Sequence, residues 1–243
     1  IKKGLKFHDG TDVTAKSFQY GWNRLCNPNT TTAPSVVAYH LAMVKGYSDV
    51  IAGNAEELEG LSCPDDYTLR VELTEPYADF PFVVYCTPLS PIPDCAKDNF
   101  DVYSKAPVGN GPFQMDGTWN EGQYISLKRY EGYAGDNPAK CDAVHFGIYK
   151  DTVTAFREFE AGNLDLCDIP NGRVKETVEK YGQSDDGYTS SPNKQTMVGD
   201  VLYTEYLAYN VNDPILSDKR VRQAMSLAIN RQNLCDTLYE GFA

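Results

Sequence analysis

The chain has 243 residues, and 22 Lys+Arg against 34 Asp+Glu give it a formal net charge of −12. Divided near Asn120, the balance is 9 − 15 = −6 and then 13 − 19 = −6, so the acidity is spread evenly. Such a surface repels phosphate backbones and argues against nucleic acid as a main partner. A hydrophobic share of 42% with 23% charged residues belongs to a folded chain, and no apolar run reaches the ~18 residues of a membrane helix. The sequence opens on Ile1-Lys2-Lys3 and closes on Gly241-Phe242-Ala243 after a helical pattern, which reads as a segment of something longer.

A strand is predicted to end at Phe7, followed by a tight Asp9-Gly10 turn. Thr14 is a good N-cap, because its hydroxyl can accept an orphan N–H of the first helical turn. Phe18, Trp22 and Leu25 then recur at helical spacing, and Asn27-Pro28-Asn29 ends the helix. A second helix is predicted from about Ser35 to Ala52, stopped by Gly53. The run 67–73 alternates as a half-buried strand does. Between Pro76 and Pro112 the prolines are dense enough to exclude a long central strand.

Gly109-Asn110-Gly111-Pro112 is a turn cluster leading into a short strand at Phe113. Residues 124–130 alternate, and Val144, Phe146 and Ile148 mark another strand. Asp151 or Thr152 caps the next helix, with Val153, Phe156 and Phe159 inward and Gly162 at its end. Leu164-Asp165-Leu166 reads as a short strand, so the order from Val144 to Ile169 predicts a parallel crossover. A helix from Arg173 to Tyr181 and a polar loop over 183–192 follow. Residues 201–211 look like a long tyrosine-rich strand. Ser217 is predicted to cap a helix carrying Val221, Ala224, Met225 and Ala228, and Asn230 starts another. The mixture is α/β.

Catalytic motifs are absent: there is no H-E-x-x-H, G-x-S-x-G, phosphate loop or dinucleotide fingerprint. His8, His40 and His145 stand far apart, and each is expected to pack or face solvent. Asp65-Asp66 and Asp185-Asp186 read as turn residues. None of the seven cysteines forms a C-x-x-C, so a structural zinc site is not expected. Each can be a small buried hydrophobe, or some can pair in an oxidising compartment. Cys86 and Cys95 flank a proline-rich loop and are the first pair to examine. The 17 tyrosines suit either core and interface packing or a ligand-lined cleft.

Five blocks resemble one family. They are Leu5-Lys6-Phe7-His8-Asp9-Gly10-Thr11 with Thr14-Ala15; Asn110-Gly111-Pro112-Phe113 through Trp119; Ala161-Gly162-Asn163-Leu164-Asp165; Leu207-Ala208-Tyr209-Asn210; and Asp218 to Arg231. In this order they are similar to the extracellular solute-binding proteins of family 5, the dipeptide- and oligopeptide-binding components of ABC importers. Three departures stand out. Glu131-Gly132-Tyr133-Ala134 lacks the family's Trp, Asn110 puts an amide at a cleft-facing turn, and Lys16 or Ser17 replaces a carboxylate of the capping box.

The resemblance implies an α/β, periplasmic-binding-protein-like (type II) bilobal fold about twice this length, of which the chain covers mainly lobe I. Residues 1–106 would be the family's extra subdomain, 107–208 much of the lobe I core, and 209–243 the hinge crossing and the start of lobe II. It also implies oligopeptide capture between the lobes, delivery to a membrane permease, no cofactor, no catalysis and a monomer outside the cytoplasm, free or held by a lipid anchor. Asn110, Gly111, Trp119, Cys167, Asp168, Tyr206 and Asn210 fall where motif loops or strand ends would meet the cleft. Structural roles compete for several: core packing for Trp119, helix initiation for Asp168 and a hinge for Asn210. The blocks report scaffold, so a metal chelate, haem or sugar ligand stays open, and a secreted hydrolase is a remote alternative.

Overall fold

The computed structural model describes residues 1–30 and 35–242. Residues 31–34 and 243, which fall in the first and last expected segments, lie outside it. The chain forms two compact units, Ile1–Ile148 and Tyr149–Ala243.

Unit 1 is organised around α1 (Ala15–Cys26). Thr14 stands at its N-cap in extended backbone, and its N–H donates to the Ser17 hydroxyl at 3.3 Å. Trp22 and Cys26 face a core completed by Leu41, Val44, Val50, Leu58, Leu61 and Leu89. Each such side chain contributes about 1.5–3 kcal/mol by leaving water. The polar atoms that burial would strand are paired: the Trp22 indole donates to Leu89 O at 2.9 Å, and Leu58 N–H donates to Asn23 Oδ1 at 2.8 Å.

Against α1 lies an antiparallel hairpin, β1 (Leu61–Asp65) and β2 (Thr68–Val71). The helix predicted over 35–52 is broken. A 3₁₀ turn at Ala38–Leu41 is separated from α2 (Tyr47–Ile51) by Gly46 at φ +86°. The break arises because this stretch bonds to the chain after β2: Lys45 N–H donates to Glu72 O and Thr74 N–H to Met43 O. The proline-dense region holds short helices, α3 (Phe80–Val83), α4 (Cys95–Asp98) and α5 (Phe100–Lys105), and no strand.

A three-stranded sheet follows, β3 (Phe113–Met115), β4 (Tyr124–Arg129) and β5 (Ala143–Gly147), in that order and antiparallel throughout. The expected crossover after β5 is not formed. Leu164-Asp165-Leu166 pairs with no strand among the described residues and leaves Leu166 71% exposed. Among the described residues parallel pairing is confined to the single Gln183–Thr196 bridge.

Unit 2 contains α6 (Thr152–Glu160), α7 (Val174–Tyr181), α8 (Lys219–Ala228) and α9 (Arg231–Leu238). Asp151 caps α6 by accepting the Thr154 N–H at 2.7 Å, and Asn230 caps α9. Asp218 caps α8, one residue beyond the predicted Ser217, because its carboxylate accepts from Arg220 N–H. The predicted strand over 201–211 is irregular and open to solvent, with Tyr206 81% exposed. Alternation supplies the side-chain pattern of a strand but not the neighbour whose backbone would make one.

Candidate functional site

In unit 1, the loop before β3 lies against the chain's opening turn. His8 donates its backbone N–H to Gly109 O at 2.8 Å, and its Nδ1 accepts the Gly109 N–H at 3.2 Å. An accepting Nδ1 puts the ring proton on Nε2, which donates to Gly111 O at 3.0 Å. Tyr130 meets the ring edge-on at 4.8 Å, and its hydroxyl donates to Phe7 O at 3.2 Å. Both ring nitrogens are thus engaged by backbone, so His8 fastens the turn cluster and is not free to act as a base.

A recess of about 540 Å³ opens beside this fastening, lined by Asn110 and Gly111 together with Arg24, Thr87, Ser90 and Phe113. Gly111 has no atom within 4 Å of where a Cβ would stand, so it is open backbone. Arg24 stacks on Phe100, its Cζ 3.2 Å from the ring centre, and burial pushes its guanidinium below its ordinary value.

In unit 2, Cys167 and Asp168 line a second recess of about 730 Å³ with Phe156, Thr177, Tyr181, Thr196 and Phe242. Its floor is rigid. Arg173 lies over the Phe156 ring at 4.6 Å while bonding Glu160 and Glu176, and those carboxylates raise it above its ordinary value. The buried Thr196 donates its hydroxyl to Thr177 O at 3.3 Å. Burial, followed by the neighbouring Asp168, pushes the Cys167 thiol up and keeps it from being a ready nucleophile. Asp168 does not initiate α7. That role falls to Glu240, whose carboxylate accepts the Val174 and Lys175 N–H groups at 2.6 and 3.2 Å.

The remaining expected site residues join neither recess. Trp119 is 39% exposed on unit 1, not packed beneath its loop, and among the described residues only its backbone N–H is bonded, to Lys105 O. Asn210 holds a turn by accepting the Asn212 N–H at 3.1 Å. Tyr206 stands in solvent. The Cys86–Cys95 bridge is not formed, since all seven cysteines are free. Ile92 N–H donates to Ser17 O and draws the loop onto α1, so Cys86 packs on the core while Cys95 is exposed, its thiol pushed up by partial burial and by the nearby Asp9 charge.

Among the described residues no three His, Cys, Asp or Glu converge on a metal position. Ser126 and His145 meet at 2.9 Å as an exposed cross-strand pair with no carboxylate behind the ring among those residues. Arg24, Thr87 and Ser90 were not flagged by motif reading. The signal for Arg24 is a lone cation in the Trp22–Cys26 turn of an otherwise buried helix face.

Residues 1–243 match the bacterial extracellular solute-binding proteins, family 5 Middle, and the chain belongs to that family. Among curated relatives it is 28% identical to the periplasmic oligopeptide-binding protein OppA of Salmonella typhimurium, over 95% of this chain and 41% of that one. It is equally, 28%, identical to a probable deoxycholate-binding periplasmic protein of Escherichia coli, over 96% of this chain and 42% of that protein. Among solved structures, Burkholderia pseudomallei OppA aligns with a TM-score of 0.79 at 26% identity, over 98% of this chain and 45% of that one. The chain therefore carries part of the type II periplasmic-binding-protein fold and spans less than half the length of the proteins it matches.

Proposed function

We propose that this family 5 chain is part of the substrate-binding component of an ABC importer, capturing oligopeptides between two lobes and delivering them to the membrane permease. The observation that carries this reading is the family match over residues 1–243, supported by relatives whose names record oligopeptide binding. Capture would proceed by lobe closure with no bond made or broken. Binding that ignores peptide sequence needs backbone hydrogen bonds and roomy side-chain pockets. Open backbone at Gly111 and the amide of Asn110 suit the first need, and the two recesses suit the second. In this reading Cys167 and Asp168 contact ligand from unit 2, and Trp119, Tyr206 and Asn210 meet ligand only in the complete protein. The protein acts outside the cytoplasm as a monomer, either free or held by a lipid anchor.

A second reading has one specific support. The similarity to a probable deoxycholate-binding protein favours a non-peptide, amphipathic ligand. Native mass spectrometry of the protein purified from cells separates the two. A ladder of peptide masses supports oligopeptide capture, whereas one discrete bile-acid, metal or haem mass overturns it.

A further inference from the structure

The recess in unit 1 is unusual for so acidic a chain. Although 34 Asp and Glu are spread along the sequence, no carboxylate among the described residues lines it. Among the described residues its one permanent cation is Arg24. Arg24 stacks on Phe100 and has no carboxylate partner among the described residues, whereas burial disfavours its charge. The side-chain hydroxyls of Thr87 and Ser90 and the amide of Asn110 line the same recess, and within the described residues none of the three is hydrogen-bonded. Leu25, Ile92 and Phe113 supply apolar wall. Uncommitted donors around a desolvated guanidinium, facing an apolar wall, are what a carboxylate with a hydrocarbon body requires.

We propose that this recess binds a carboxylate group borne on a short apolar body, with Arg24 as its counter-charge and Thr87 and Ser90 as hydrogen-bond donors. The site stands on unit 1 alone and does not depend on the oligopeptide reading. The carboxylate comes from a free organic acid or from an acidic side chain of a peptide.

The test titrates the purified protein with hexanoate and with hexanamide by calorimetry. Hexanoate binds roughly tenfold tighter than its uncharged amide, because only the acid gains a charge-assisted bond. Arg24→Gln removes that preference and Arg24→Lys restores part of it. Thr87→Ala with Ser90→Ala leaves the Phe100 stack untouched, weakens hexanoate by a few-fold, and keeps the test decisive should Arg24→Gln fail to fold. Equal binding of acid and amide, or an unchanged preference in Arg24→Gln or in the double variant, overturns the site, as does folded protein that ignores hexanoate. Competition by Ala-Glu-Ala but not Ala-Gln-Ala identifies a peptide side chain as a source of the carboxylate; competition by neither assigns the recess to free acids.

Discussion

His8 and Gly109 hold each other by a reciprocal pair of hydrogen bonds, backbone to backbone at 2.8 Å and backbone to ring at 3.2 Å, across 101 residues of sequence. The pair ties the chain's opening turn to the Gly109-Asn110-Gly111 cluster, so two residues that line the unit 1 recess from distant parts of the sequence hold its wall together. His8→Ala strips the part-buried Gly109 N–H and Gly111 O of their ring partner and removes the edge contact with Tyr130. The expected loss is about 1–3 kcal/mol, read as a lower urea midpoint with an unchanged slope. An unchanged midpoint would mean that the turn holds itself.

Trp22 carries the second prediction. Its indole sits in the core and donates to Leu89 O at 2.9 Å. Trp22→Phe keeps most of the apolar area but strands that carbonyl, for about 1–3 kcal/mol. Trp22→Ala adds a cavity and costs about 3–5 kcal/mol. Equal losses in the two variants would show that the hydrogen bond, not the packing, carries the loss, and no loss in Trp22→Phe would show that the hydrogen bond contributes nothing. The other tryptophan, Trp119, is exposed, so iodide quenches the emission of the Trp22→Phe protein more fully than that of the parent.

These contacts mark where sequence reading stops. Thr14, Asp151, Asn230, Gly162 and Gly182 announced their helix ends because a cap is a local event, satisfied within a few residues. The strands of the β3-β4-β5 sheet were visible for a similar reason: alternation and turns sit next to each other in the chain. His8 was seen only as a residue that packs, since its partners lie more than 100 positions away. The break at Gly46 was missed because the pull comes from Glu72 and Thr74, not from the helix itself. At Leu164–Leu166 and over 201–211 the side chains alternate without a backbone neighbour, and a strand is a property of two segments. The expected site residues belong to motif loops. Asn110 and Gly111 do meet in one recess and Cys167 and Asp168 in another, but Arg24 has no motif to announce it.

Gly46 supports a third prediction. At φ +86° it occupies backbone that side chains avoid, and a Cβ there would lie 2.6 Å from Glu59 N. Gly46→Ala therefore combines torsional strain with a clash against backbone and is expected to cost more than about 2 kcal/mol. Gly53→Ala provides the control, with φ +75° but open space around it. Its cost is strain alone, about 1 kcal/mol. Thermal midpoints that rank the two in reverse would show that the contact with Glu59 relaxes freely.

Asp186 gives a pH dependence. The Thr189 hydroxyl, the N–H groups of Tyr188 and Thr189 and the Ser184 hydroxyl all donate to its carboxylate and hold it well below the usual carboxylate range. A lowered folded value means that the unfolded chain takes up the proton first. The contribution is complete above the ordinary value of 3.8 and is lost as pH falls from there through the folded value. Asp186→Asn is expected to lower the melting midpoint at pH 7 and to flatten its decline below about pH 4. Parallel curves for the two proteins would assign the acid sensitivity elsewhere.

The last prediction separates binding from folding at Gly111. Its φ lies outside the left-handed region, and a Cβ there meets nothing within 4 Å. Gly111→Ala should therefore fold with the parent's stability to within about 0.5 kcal/mol. The added methyl nonetheless stands on open backbone at the recess wall, where the proposed ligand would approach. Peptide affinity of the complete protein is expected to fall by about tenfold, the cost of displacing one backbone contact. If affinity holds while stability holds, ligand does not approach Gly111, and the wall of the cleft lies elsewhere in unit 1. If stability falls instead, the loop is tighter than its geometry indicates, and Gly111 belongs with Gly46 as a structural glycine.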